Sequence, residues 1–117
     1  MPLISIVVPC YNEQESLPIF LKELDGVVHA MTQTHPDISF EAVLIDDGSV
    51  DATLTVMKGE AAASHPYAIH WYSFSRNFGK EAALLAGLQH AKGDYVATMD
   101  ADMQDPPSLL PQMYEIL

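Results

Sequence analysis

At 117 residues the chain makes one domain and leaves no room for two. Hydrophobic residues at 49% against 18% charged argue for a packed core and against intrinsic disorder. The formal net charge of -11 repels a phosphate backbone and so speaks against nucleic acid as a partner.

The elements alternate in chain order. Leu3–Val8 is a short β-branched apolar run, the pattern of a strand buried on both faces, and Pro9 is expected to end it. Asn12 is expected to cap a helix reaching about Met31, with Leu17, Phe20, Leu21, Leu24 and Val28 at helical spacing. A second strand covers Phe40–Ile45 and gives way to Asp46-Asp47-Gly48-Ser49; a helix from Asp51 follows towards Ala63. The third strand is Ile69–Phe74, followed by a loop over Ser75–Gly79 and a helix over Lys80–His90. After a turn at Ala91–Asp94, a fourth strand runs over Tyr95–Met99 to Asp100-Ala101-Asp102, and Pro106-Pro107 open the last helix. Strands separated by helices imply right-handed crossovers, hence an α/β fold with a mainly parallel sheet between helices. The last helix, Ser108–Leu117, has no C-cap glycine, as expected of the N-terminal part of a longer protein.

Cys10 is the only cysteine, which rules out an internal disulfide and fits a packed core thiol. The five histidines lack the close spacing of a zinc site. The apolar run at the N-terminus is too short for a signal peptide or a membrane span, so this stretch is expected to be soluble.

Every strand ends in special residues: Pro9–Glu13, Asp46–Ser49, Ser75–Lys80 and Asp100–Asp105. In an open α/β sheet those ends share one edge, where ligands bind. Neither Gly-x-Gly-x-x-Gly nor a Walker-type Gly-x-x-x-x-Gly-Lys motif is present, so a glycine-rich loop does not hold phosphates. Asp100 and Asp102, two apart, can face one site. At about 4 Å each charge pair with a phosphate repels by about 4 kcal/mol at an effective dielectric of about 20. A dication resolves this, and oxygen-only ligands select Mg2+ or Mn2+.

Val7-Val8-Pro9-Cys10-Tyr11-Asn12-Glu13, Asp46-Asp47-Gly48-Ser49 with Asp51 and Thr53, Ser75-Arg76-Asn77-Phe78-Gly79-Lys80, and Asp100-Ala101-Asp102-Met103-Gln104-Asp105-Pro106-Pro107 resemble family 2 glycosyltransferases in order and spacing. Within the family they resemble the polyprenyl-phosphate branch, the dolichol-phosphate mannosyltransferases and bactoprenol glucosyltransferases of O-antigen modification. The resemblance runs along essentially the whole chain and implies a GT-A, Rossmann-like nucleotide-binding fold over residues 1–117. It implies that Pro9, Tyr11 and Glu13 border the nucleoside, with Tyr11 against the base. Asp47 would accept a hydrogen bond from a pyrimidine ring and Asp46 would support the loop. Asp100 and Asp102 would hold the metal on the donor diphosphate, with Gln104 beside them, and Arg76 and Lys80 would bring positive charge. The reaction implied is inverting transfer of a hexose from a nucleoside diphosphate sugar, UDP-glucose being favoured, to a polyprenyl phosphate. The full-length protein would work at the cytoplasmic side of the inner membrane. No catalytic base is assigned within these residues.

Two other readings remain at this level. A phosphorelay receiver domain has similar size, but its acidic pair after the first strand is replaced here by Pro9-Cys10-Tyr11-Asn12-Glu13. A truncated, catalytically inactive nucleotide- and metal-binding module fits the same motifs. An open sheet edge in such a module would also promote homo-oligomers.

Overall fold

The computed structural model describes residues 2–102 and 106–116. The described strands are β1 (Leu3–Cys10), β2 (Ser39–Asp46), β3 (Ala68–Ser73) and β4 (Tyr95–Thr98). They form one sheet in the order β3-β2-β1-β4, with every neighbouring pair parallel. The helices are α1 (Ser16–Thr34), α2 (Thr53–Ala62), α3 (Lys80–His90) and α4 (Leu110–Ile116), the last preceded by a 3-10 turn over Pro107–Leu109. The α/β fold with a parallel sheet between helices is the one the alternation implies.

β1 and β2 occupy the centre, and from Ile6 to Cys10 and Phe40 to Asp46 every residue of these two strands is buried. That burial is why both read as unbroken apolar runs. One face packs on α1, whose Leu17, Phe20, Leu21, Leu24 and Val28 meet Ile6, Val8, Ala42 and Leu44. The other face carries Val7, Val43 and Ile45 under Ala83 of α3. A Cβ on Gly87 would stand 2.3 Å from Val7 Cγ1, so only glycine lets α3 lie this close to β1.

Several boundaries differ from the sequence expectation. β1 runs through Pro9 to Cys10. Val7 accepts from Met99 on the β4 side and Cys10 accepts from Asp47 on the β2 side. That alternation turns the missing N–H of Pro9 towards β4, beyond the last pair there, Val7 with Thr98, where the ladder has no further partner. Asn12 does not cap α1. It takes φ 53°, and its side-chain carbonyl accepts from Val50 N–H at 3.0 Å, so the helix starts only at Ser16. α2 starts at Thr53, whose amide and hydroxyl both donate to Asp51 Oδ1 at 2.9 and 2.5 Å. Asp51 thus precedes the helix it was expected to open. The prolines at 106 and 107 open a 3-10 turn, with α4 following at Leu110.

Two polar clusters tie the layers. His65 lies between Asp25 of α1 (2.8 Å) and Glu60 of α2 (3.1 Å). Buried Glu41 accepts from Ser5 Oγ at 2.5 Å and from Lys92 N–H at 2.8 Å, and Gly93 N–H donates to Ser5 Oγ at 2.8 Å. This fixes the turn between α3 and β4 to the amino-terminal end of the sheet, opposite the strand ends that carry the motifs.

Candidate functional site

Because all four strands are parallel, their carboxyl ends meet on one edge. There Pro9, Cys10, Tyr11, Glu13, Asp47, Lys80, Asp100 and Asp102 line a cleft of about 180 Å³. Seven of these eight, Lys80 among them, were expected from the sequence as site residues, and the eighth, Cys10, as a core thiol next to them. Asp46 sits behind the cleft, 2% exposed, and accepts from Ser49 N–H at 3.0 Å and from the Ser73 hydroxyl at 2.9 Å. Its carboxylate therefore shapes the loop after β2.

Asp47 is also buried, yet reaches the cleft. Its Oδ1 accepts from Phe78 N–H at 2.8 Å and Gly79 N–H at 3.3 Å, and Asn77 Nδ2 lies 3.4 Å from Oδ2. Gly48, at φ 67°, brings the two loops together: a Cβ there would fall 2.1 Å from the Arg76 carbonyl carbon. The loop ends at Gly79, φ 103°, and α3 begins with Lys80. The Lys80 ammonium pairs with Asp100, 2.9 Å from Oδ1 and 3.1 Å from Oδ2.

Arg76 is not brought beside Lys80. It lines an adjoining hollow of about 580 Å³ with Gly48, Ser49, Asp51 and Asn77, and its guanidinium lies 5.1 Å from the Phe78 ring. Tyr11, 44% exposed, borders both hollows. Gln104 lies outside the described residues.

Residues given no site role in the sequence, with Glu13, tie the loop after β1 to the loop after β2. Asn12 N–H donates to Ser49 Oγ at 2.9 Å, Glu13 N–H to Thr53 Oγ1 at 2.8 Å, and Ala52 N–H to Gln14 Oε1 at 2.9 Å. With the bond from Val50 to Asn12, the loop after β1 and the loop after β2 are stitched along their length. The Ser16 hydroxyl donates to the Glu13 carboxylate. The available signal was a run of short polar side chains in both loops, residue types that bond to nearby backbone.

Charge in the cleft is one-sided: Glu13, Asp47, Asp100 and Asp102 face the single ammonium of Lys80 among the described lining residues. An anionic ligand alone is repelled by such a set. Burial, and then the charges of Glu13, Asp46 and Asp100, push the Cys10 thiol far up from its ordinary value, so it stays protonated and is no nucleophile. Among the described residues no three His, Cys, Asp or Glu side chains are arranged around one metal position. Asp100 and Asp102 still fit a hard dication by the chemistry of their donor set. Mg2+ is commonly held by one or two carboxylates, its remaining positions going to phosphate oxygens and water.

Residues 5–117 match the sequence pattern of "Glycosyl transferase family 2". The chain is 42% identical over 115 residues to an undecaprenyl-phosphate 4-deoxy-4-formamido-L-arabinose transferase of Sodalis glossinidius (strain morsitans), covering 97% of this chain and 33% of that protein. It is 45% identical over 112 residues to a bactoprenol glucosyl transferase of Shigella phage SfV, covering 96% and 34%. The chain thus spans about a third of the length of these relatives. Among solved structures it resembles the mannosyltransferase PcManGT from Pyrobaculum calidifontis, in complex with GDP-Man and Mn2+. The TM-score is 0.73 and the identity 27%, over 86% of this chain and 28% of the other. The fold is shared with S. aureus TarS residues 1–349, TM-score 0.73 at 22% identity over 98% of this chain and 32% of that one. With its motifs gathered at one sheet edge and the family pattern spanning nearly all of its length, the chain belongs to glycosyl transferase family 2.

Proposed function

We propose that the chain supplies the donor half of a sugar transferase. On this reading it binds a nucleoside diphosphate sugar with Mg2+ or Mn2+, and the whole protein transfers a hexose, with inversion, to a polyprenyl phosphate. The observation that carries the reading is the meeting of Asp100, Asp102 and Lys80 with Tyr11 and Glu13 around one cleft. Asp100 and Asp102 would hold the dication, with Gln104 as a third candidate ligand. The ion's contribution is positive charge against the leaving diphosphate.

The chain's own residues do the rest. Tyr11 offers a ring at the mouth for a base, while Pro9 and Glu13 line the wall beside it. Asp46 and Asp47 set the loops that shape the hollow, and Arg76 lines the neighbouring one. An acceptor phosphate is already anionic, so the demand on the protein is to stabilise the departing diphosphate rather than to remove a proton. UDP-glucose is the donor favoured, on the likeness to the bactoprenol glucosyl transferase of Shigella phage SfV. The acceptor would bring the whole protein to the cytoplasmic face of the inner membrane. No helix among the described residues is long and apolar enough to cross a membrane. Association of copies through the open β4 edge belongs to the same reading and is checked by sedimentation.

A second reading, a nucleotide- and metal-binding module that does not complete transfer, would use the same cleft residues. Turnover of UDP-glucose on undecaprenyl phosphate separates the two. For the binding step, calorimetric titration of UDP with Mn2+ is expected to show at least tenfold weaker affinity in Asp102→Ala, about 1.4 kcal/mol, with the fold intact. Equal affinity in the two proteins sinks the metal assignment.

A further inference from the structure

Lys80 is held in place from its own backbone. Asp47 grips the amides of Phe78 and Gly79 immediately before it, and Lys80 opens α3. From there its ammonium covers both oxygens of Asp100, at 2.9 and 3.1 Å. A hard dication at Asp100 needs those same oxygens. Two cations cannot share one carboxylate at contact distance without repulsion. The ammonium side chain is 62% exposed, on a long flexible stem, so it is able to swing away once another anion is near.

We propose that Lys80 is an internal counter-ion that couples dication binding to diphosphate binding. Without a donor, the ammonium neutralises Asp100 and competes with the metal. A diphosphate offers the ammonium another anionic partner, Asp100 is released to the dication, and the two ligands enter together. By linkage, the dication strengthens diphosphate binding through Lys80 as much as the diphosphate strengthens dication binding. This rests on the reading of Asp100 and Asp102 as metal ligands and goes beyond it: those residues say where a metal goes, Lys80 when.

The test is Mn2+ binding followed by the EPR signal of unbound Mn2+, with Mn2+ alone, with saturating UDP, and with GDP in a parallel series. It compares the native chain with Lys80→Met, Lys80→Arg and Asp102→Ala. In Lys80→Met, affinity for Mn2+ alone is expected to rise about three- to fivefold, the worth of a partly exposed ion pair, and the enhancement by nucleotide to shrink by a similar factor. Lys80→Arg keeps a cation and is expected to keep the native enhancement. Far-UV circular dichroism checks that each variant is folded. If Lys80→Met binds Mn2+ alone no more tightly than the native chain and keeps the full nucleotide enhancement, the counter-ion role is overturned while the metal reading stands. If Asp102→Ala binds Mn2+ as the native chain does, or no protein binds it at all, the metal reading fails and this inference with it.

Discussion

Asp47 shows how one carboxylate can anchor a loop and border a cleft at once. The family resemblance assigns it a hydrogen bond from a pyrimidine ring; in the structure its Oδ1 accepts from the amides of Phe78 and Gly79, leaving acceptor capacity on the carboxylate. The two amides are only partly buried, so losing their acceptor costs about an ordinary hydrogen bond each at most, and Asp47→Ala is expected to lower stability by about 1 kcal/mol in urea titration. Asp47→Asn retains a carbonyl oxygen for those amides and is expected to lose less than half of that; equal losses would argue against the anchoring role. Cys10 illustrates the opposite case, a reactive group silenced by its surroundings. Burial and neighbouring carboxylates hold the thiol protonated. Its reaction with a disulfide reagent at neutral pH is expected only after denaturant unfolds the chain, and rapid labelling of the native protein would contradict this. In the sequence Cys10 was legible as a core thiol because it follows an apolar run. Asn12 was misread as a cap because its acceptor is used by Val50, 38 residues away, and no local pattern reports so distant a partner.

At the scale of elements, the strands were legible and their anchoring was not. β-branched runs mark β1 and β2, and the spacing of Leu17, Phe20, Leu21 and Leu24 marks α1. Ends shifted by a few residues, since boundaries depend on where hydrogen-bond partners run out rather than on residue type. Glu41 is the clearest case of an element-level device that the sequence hides. It looks like one polar residue in an apolar strand, but it accepts from Ser5 and from the Lys92 amide, so one carboxylate holds β1, β2 and the α3–β4 turn together. Its other oxygen lies 3.6 Å from His70 Nε2 of β3. Glu41→Ala strands these donors in a buried setting and is expected to cost about 2–4 kcal/mol. Chemical denaturation is the measurement, and a loss below about 0.5 kcal/mol, the range of ordinary surface changes, would show that the network is ornamental to stability.

For the molecule as a whole, the parallel sheet follows from the alternation of elements, whereas the order β3-β2-β1-β4 was not readable, because neighbours are chosen by packing between segments far apart in sequence. The candidate site was legible to the extent that parallel strand ends must share an edge. The split that leaves Arg76 in the hollow beside the cleft was not, since it turns on the path of the loop past Gly48. A net charge of -11 loads the folded state with self-repulsion. Salt is therefore expected to raise Tm gradually, and a binding dication to raise it further than sodium chloride at matched ionic strength. Differential scanning fluorimetry reads both, and Asp102→Ala is expected to remove the excess due to the dication; an excess that persists would place the ions elsewhere. The stitched loops after β1 and β2 have one more consequence. Their amides are already satisfied across the gap, so that side of the cleft is preorganised. A ligand docking there loses little to ordering the backbone, and lengthening either loop by one residue would dismantle the wall while sparing every side chain that meets the ligand.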